Sequence, residues 1–550
     1  MTTELTPARS ADSEPSPSHR DLDQSGPGRR RRRKRLSQPD PPSPAPVTSA
    51  AQGVVGFADR RLGSAGFVRS ALNKVFLDHW SFMIGEIALY SFLVLLATGV
   101  YLTFFFEPSS QQISYAGSYV PLRGVRMSRA YESTINLSFD VRAGLVIRQI
   151  HHWAALVFIA GIVVHLCRIF FTGAFRRPRE INWLVGVGLL TLALAEGFAG
   201  YSLPDDLLSG TGLRIAYSIA ESIPIVGTWI AWGVWGGEFP GTIFLQRLYV
   251  VHILIVPGLL LALIGAHMAI LWHQKHTQFP GPGRTEGNVV GTRLVPGYAT
   301  SSIGFLLITV GVLALLGGLA QINPVWSYGP YEPMAVSSLA QPDWYIGFLE
   351  GSLRLFPPWE YRGLGHNVPP VLWPGVVLPG LMFTLLAAYP FLEARLRGDR
   401  GEHHLLGRPR DHPTRTAVGV MALTFYLVLF VAGADDVLAL TAQLSINAVV
   451  WALRIGLVVL PPAAFFATRA LCRAAARREQ RQRQQDEETG WIELRPDGGY
   501  HEIETPRPEP APGPELVPAE RIPPAEQDHR RSGLATRTGR ALLRFFTRPA

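Results

Sequence analysis

Along this chain long apolar runs alternate with short polar segments, and a polar stretch stands at either end. Eight runs, at about 84–106, 145–171, 182–202, 248–272, 302–321, 372–392, 415–433 and 446–468, reach the roughly 20 apolar residues that a helix needs to cross a bilayer. The pattern predicts an all-α integral membrane fold of eight transmembrane helices, in which the first four form a bundle and four C-terminal helices follow. An even number of spans puts both tails on one side. Two connections, about 203–247 and 322–371, are long and hold short amphipathic pieces at 212–222 and 344–355. Loops of that length in a compact protein are usually functional, and these two could build a cavity at one face.

The polar ends are tails. Residues 1–66 are rich in Pro, Ser and charge around the run RRRRRKR (Arg29 to Arg35), with too few apolar residues to offset chain entropy. They are expected to form a disordered basic arm touching anionic lipid. No apolar core follows the run, so it does not read as an export signal. The tail 471–550 is charged and Pro-rich, expected to start as a helix and end as linker. Between the tails the chain divides into 67–290, with four helices, and 291–470, with four more.

Charge gives the orientation. The chain is 47% hydrophobic and 17% charged with a net charge of +9, and its mean hydropathy is +0.16. Arg176, Arg177 and Arg179 follow the second run, Lys275, Arg284 and Arg293 the fourth, and Arg395, Arg397, Arg400, Arg408 and Arg410 the sixth. The opposite loops lean acidic, with Asp205, Asp206, Glu221, Glu238, Glu332, Asp343, Glu350, Asp435 and Asp436. The first outer loop, carrying Arg123, Arg126, Arg129 and Arg142, is outvoted. The positive-inside rule then places both tails in the cytoplasm, on a multi-pass protein of the cell membrane. Basic residues placed this way set topology rather than nucleic-acid binding. The only cysteines, Cys167 and Cys472, exclude a CxxCH haem attachment, an iron–sulfur cluster and a disulfide framework from this chain. Any such centre must sit on a partner.

Histidines carry the candidate chemistry. The second run holds His151, His152 and His165, and the fourth His252 and His267. A spacing of 14 residues leaves His151 and His165 within about 40° of one another and roughly 21 Å apart; at 15 residues, His252 and His267 share a face within about 60°. The two helices run parallel, so His151 pairs with His252 toward the outer face and His165 with His267 toward the cytoplasm. Two imidazoles per iron make a six-coordinate haem that passes single electrons, which predicts two stacked b haems. A transporter with a histidine proton relay and a membrane scaffold for other subunits are the competing readings. Glycine supplies an independent check, because a flat macrocycle needs neighbours without side chains. Gly85 and Gly99 in the first run are 14 apart, as are Gly186 and Gly200 in the third. Arg148, Arg168 and Arg247 lie near the histidines and could meet haem propionates, or could instead snorkel to the interface.

These residues resemble the cytochrome b subunit of quinol:cytochrome c reductase, the cytochrome bc complex. IRQIHHWAALVFIAGIVVHLCR (Ile147 to Arg168) is similar to the family's second helix, with His151 and His165 on ligand positions and Arg148 and Arg168 on propionate arginines. FFTGAFRRPREINW resembles the plastid branch, GYSLP (Gly200 to Pro204) the end of the third helix, and Pro257 the proline of the fourth. QKHTQFPGPGRTE (Gln274 to Glu286) resembles the actinobacterial branch. Pro342, Asp343, Trp344 and Tyr345 are similar to the PEWY motif of the quinol-oxidation site, with Asp for Glu.

The resemblance implies two non-covalent haem b groups and quinol and quinone as substrates. It implies a Rieske iron–sulfur partner that takes one electron toward a cytochrome c subunit, while the second crosses to a quinone at the cytoplasmic side. A dimeric complex is expected, and a cytochrome c oxidase joined in a supercomplex fits the branch. Menaquinol is the favoured substrate. Asp343 and Tyr345 are the candidate quinol-site groups, Glu350 and Glu196 alternates for the proton path, and Gly212 a close approach of quinol to a short helix. Glu196 could equally be a satisfied structural carboxylate. His273, Lys275 and His276 mark the inner quinone end, where the family's early acidic residue of the fifth helix is replaced near Ser302. Arg454 acquires no role.

Overall fold

In the computed structural model, residues 57, 61, 63–77, 79–335, 341–363, 366–484, 487–494 and 500–505 are described; most of the 1–66 arm and everything beyond Thr505 lie outside them. Among the described residues, eight helices are long and apolar enough to cross a membrane: Ile84–Thr103, Gly144–Thr172, Glu180–Tyr201, Phe244–Gln274, Leu294–Leu319, Trp373–Arg397, Pro413–Ala432 and Ile446–Arg481. Each coincides with an apolar run, because lipid offers the backbone no partner and forces every run to bond within itself. Leu307, Leu315 and Val458 stay exposed on these helices, as residues facing acyl chains should.

The first helix packs on the second and the third on the fourth; the fifth lies against both the first and the second. The sixth leans on the third, and the seventh and eighth form a pair that also holds the short helix Gly347–Leu355. The chain from Ser64 onward forms one compact unit. The apolar core with Phe92, Phe158 and Leu260 stands between the two histidine levels in the sequence of the first, second and fourth helices, and Tyr345 of the second long connection packs into it.

Local signals set the ends. Gly173 and Gly398, both at φ 67, stop the second and sixth helices in the left-handed conformation that glycine adopts freely. A Cβ at Gly173 would collide with the guanidinium of Arg415, which is 1% exposed and grips both carboxylate oxygens of Glu393 through Nε at 3.0 and 3.1 Å. This buried pair joins the ends of the second, sixth and seventh helices. The fourth helix is not regular: a wide turn at Val251–Ile255 closes with Val256 N–H on Val251 O, a five-residue step, and Pro257 stands just beyond it. That turn absorbs one residue, so the 15-residue interval from His252 to His267 turns through about 40° rather than 60°. It matches the 14-residue interval of the second helix.

The long connections are structured. One holds helices Leu207–Glu221, capped by Asp206 on Leu208 N and Ser209 N, and Gly227–Trp235. The other holds Val325–Tyr328, a tight turn at Trp344–Ile346 and Gly347–Leu355. The C-terminal tail begins as expected, as a continuation of the eighth helix to Gln484. Where linker was expected, Glu487–Leu494 pairs antiparallel with Tyr500–Thr505.

Candidate functional site: two histidine levels between four helices

The rings of His151 and His252 face each other with centroids 6.2 Å apart and planes at 75°. Two metal–nitrogen bonds of about 2 Å, plus about 1 Å from each nitrogen to its ring centre, give about 6 Å, the spacing of two imidazoles sharing one metal atom. Thr98 fixes the first ring. Its hydroxyl donates to Val94 O at 2.6 Å and lies 2.8 Å from His151 Nδ1; with its one hydrogen spent, it accepts from Nδ1–H and leaves the Nε2 lone pair free for a metal. His252 Nδ1 lies 3.0 Å from Glu196 Oε1. At the second level, the Nδ1 atoms of His165 and His267 are buried without a hydrogen-bond partner.

Each histidine has its own glycine. A Cβ would stand 3.3 Å from His151 at Gly99, 3.1 Å from His165 at Gly85, 2.5 Å from His252 at Gly200 and 3.9 Å from His267 at Gly186. The 14-residue glycine intervals therefore match the histidine levels one to one. Substitution is tightest at Gly200 and loosest at Gly186.

A cavity of about 250 Å³ surrounds the first level. Its walls are mostly apolar, and the polar groups on them include Arg148, His151, His152, Glu196, His252, Asp343 and Tyr345. Arg148 gives one N–H to Asn323 O at 3.2 Å while its Nε is buried and unpartnered. Near the second level, Nε and Nη2 of Arg168 are likewise unpartnered, with the guanidinium 4.0 Å over the ring of Phe82. Buried N–H groups without acceptors are costly, so an anionic group belongs at each level. Arg247 takes another course: it is absent from the cavity wall, and its guanidinium donates to Trp232 O at 2.8 Å and Gly233 O at 2.6 Å. The sequence distance to His252 misled because the guanidinium reaches the helix Gly227–Trp235.

Among the described residues, no cluster of three or more His, Cys, Asp or Glu side chains could hold a bare metal ion. Two imidazoles, a glycine slot and an unpartnered guanidinium fit instead a planar group that brings four equatorial ligands and anionic substituents, as haem does.

The same cavity contains a proton-handling cluster. Asp343 Oδ1 lies 2.9 Å from His152 Nε2, and Tyr345 donates to Asp343 Oδ2 at 3.2 Å. Tyr345 is 2% exposed, and burial beside Asp343 pushes its phenol well above the usual range. Gly197 makes room for it: a Cβ there would meet the phenol oxygen at 2.7 Å. His152, Thr98 and Gly197 were not singled out by sequence reasoning; the doubled histidine at 151–152 was the available signal for the first. Two nominated residues stand apart from the cavity wall. Glu350 is paired with Arg354 at 2.5 Å in a cluster with Asp435 and Asp436, and burial nonetheless pushes its carboxyl upward. A Cβ at Gly212 would meet Phe198 and Tyr201 at 3.8 and 3.9 Å. Arg454, without a role in the sequence, donates to Leu355 O at 2.8 Å and ties the eighth helix to the loop helix.

Residues 156–330 match the protein-family profile described as Cytochrome b(N-terminal)/b6/petB. The chain is 56% identical over 449 residues to the cytochrome bc1 complex cytochrome b subunit of Mycobacterium tuberculosis, covering 82% of each. It is 52% identical over 448 residues to that of Corynebacterium diphtheriae (82% and 83%) and 50% identical over 461 residues to that of Streptomyces coelicolor (83% and 84%). In fold it is similar to a chain of a solved hyperthermophilic respiratory Complex III, with a TM-score of 0.54 at 20% identity over 76% of this chain and 100% of that one. With identities this high across four fifths of the chain, and a bundle in which the rings of His151 and His252 stand 6.2 Å apart, the protein belongs to the cytochrome b subunits of the cytochrome bc1 complex, the quinol–cytochrome c reductase.

Proposed function

We propose that this chain oxidises a quinol in the cavity beside His151 and His252 and reduces a quinone near His165 and His267, with the tails on the cytoplasmic side. The observation that carries this reading is the meeting of Asp343, His152 and Tyr345 with the first histidine pair in one apolar cavity. A quinol is an apolar ring with two hydroxyls, so it suits such walls and needs a nearby acceptor for its protons. Asp343 Oδ1 accepts the first; His152 and Tyr345 hold the carboxylate in place by bonding one oxygen each. Haem b held by His151 with His252, and by His165 with His267, supplies single-electron transfer when bound. Arg148 and Arg168 supply the N–H groups for its propionates.

A second electron acceptor must meet the quinol from outside this chain, because two separated cysteines hold no cluster. A Rieske iron–sulfur subunit and a cytochrome c subunit fill that role. The basic loops after the second, fourth and sixth helices support the cytoplasmic placement of both tails. Pyridine haemochrome quantitation of the purified complex, with reduced-minus-oxidised spectra, tests the core of the reading: two b haems per chain are expected. Zero haem would sink it, and a single haem would break the two-level pairing.

A further inference from the structure

Glu86 stands in the first turn of the first spanning helix, one residue past Gly85, whose Cβ position lies 3.1 Å from the His165 ring. Its surroundings differ from those of the other carboxylates in the bundle interior. Glu393 is held by Arg415 and Arg397 at 3.0 Å, and Glu196 meets His252 at 3.0 Å. Glu86 is met by hydroxyls: Tyr298 donates to Oε1, and Tyr90 at 2.9 Å and Ser302 at 3.2 Å share Oε2. Tyr90 and Ser302 are also bonded to each other. No ion pair to Glu86 is formed among the described residues.

The cluster also packs toward the segments that flank the first and fourth helices. The ring of Tyr298 stacks on Phe76 at 4.7 Å, and Phe76 meets His276 at 4.7 Å and Trp272 at 6.0 Å. Lys74, beside Phe76 in the chain, donates to Trp272 O and covers its indole ring at 4.2 Å. Thus four oxygen-bearing side chains of three residue types stand near the His165 level, and behind Phe76 are an amine, Lys74, and an imidazole, His276.

A carboxyl in a membrane helix costs several kcal/mol unless satisfied, and such groups commonly mark proton paths. Arginine would lock Glu86 as a permanent carboxylate. Hydroxyls bond equally to its charged and neutral forms and can themselves hand on a proton.

We propose that Glu86 is the proton donor for the quinone reduced on the tail side, with Tyr298, Tyr90 and Ser302 as its reloading chain. The proposal rests on the quinone reduction inferred above. Each quinone takes two electrons, supplied by the established reaction, and two protons. One O–H bond breaks at Glu86, a new O–H bond forms on the quinone oxygen, and the carboxylate is reprotonated from the tail-side water before the second transfer. The charged and titratable groups around it are Tyr90 on its own helix, Tyr298 on the fifth, Lys74 and His276 behind Phe76, and Arg168 beside Phe82.

The test uses the whole complex in its native membrane, with reduced b haems reoxidised by a short-chain naphthoquinone in a stopped flow. Glu86→Gln keeps the shape and one accepting oxygen but carries no acidic proton. It is expected to hold two haems, to be reduced by quinol at the normal rate, and to be reoxidised about a hundredfold more slowly, with the pH dependence of that step flattened. Glu86→Asp should recover part of the rate. Normal reoxidation with an unchanged pH profile in Glu86→Gln overturns the proposal. If that variant loses haem, Tyr298→Phe decides: a several-fold slowing supports the chain and an unchanged rate overturns it. A wild-type complex without b haem would remove the underlying reading, and this proposal with it, by a different readout.

Discussion

The two histidine levels use the same ligand type and the same glycine spacing, yet their surroundings differ. At the loop-side level His151 is tied by Thr98, His252 meets Glu196, and a cavity of about 250 Å³ opens to Asp343, His152 and Tyr345. At the tail-side level the Nδ1 atoms of His165 and His267 are unpartnered, the guanidinium of Arg168 lies on Phe82, and the nearest carboxyl, Glu86, is wrapped in hydroxyls. One level is built around a space for a substrate and a carboxylate held by a histidine and a phenol. At the other, the carboxylate is met by the hydroxyls of Tyr90, Tyr298 and Ser302. The ligand type and glycine spacing are shared by the two levels; the polar neighbours are what distinguishes them.

The largest expected effect separates the levels outright. His252→Ala should abolish quinol oxidation and remove the loop-side haem while the tail-side haem remains visible in the spectrum; His267→Ala should do the reverse. Loss of both haems from either variant in a folded complex would break the comparison. Next in size, Asp343→Asn should lower quinol oxidation about a hundredfold with both haems retained, read as kcat in steady-state assays. An unaffected kcat would show that Asp343 does not take the proton.

Glycine gives a finer contrast. Gly200→Ala places a methyl 2.5 Å from His252 and should cost about 1–3 kcal/mol of overpacking, seen as lower loop-side haem occupancy. Gly186→Ala, at 3.9 Å from His267, should be nearly neutral. Similar damage from both would refute the difference in closeness. The smallest effect lies in the loop. Asp205 is buried, and that burial raises its carboxyl to about 7. The folded state then binds more protons than the unfolded one, whose carboxyl titrates near about 4, so stability should fall as pH rises from about 4 to 7. Asp205→Asn should flatten that slope in thermal melts taken across the range; an unchanged slope would acquit Asp205.

Much of this was legible in the chain. The eight spans were readable because lipid leaves a run of 20 apolar residues no other use. The histidine levels were readable because helical period converts sequence spacing directly into depth and face. Contacts between distant segments were not. Asp343 and His152 are 191 residues apart, and no local pattern says that a loop turn will set its carboxylate against the residue after a ligand. Arg247 shows the converse error: closeness to His252 in sequence suggested a propionate partner, while the long side chain reached the carbonyls of Trp232 and Gly233 instead. Glu350 also looked available in sequence, but Arg354, which pairs with Asp435 and Asp436 as well, engages it. The hairpin after Gln484 was obscured by a charged, Pro-rich composition with no strand period in it.

The wide turn at Val251–Ile255 has a consequence for how such chains vary. It works as a phase corrector: a helix can gain a residue there, and everything beyond still presents the same face at nearly the same height. Ligand positions on this helix are therefore free to drift in sequence numbering while staying fixed in space. Spacing between its histidines is better counted in turns than in residues.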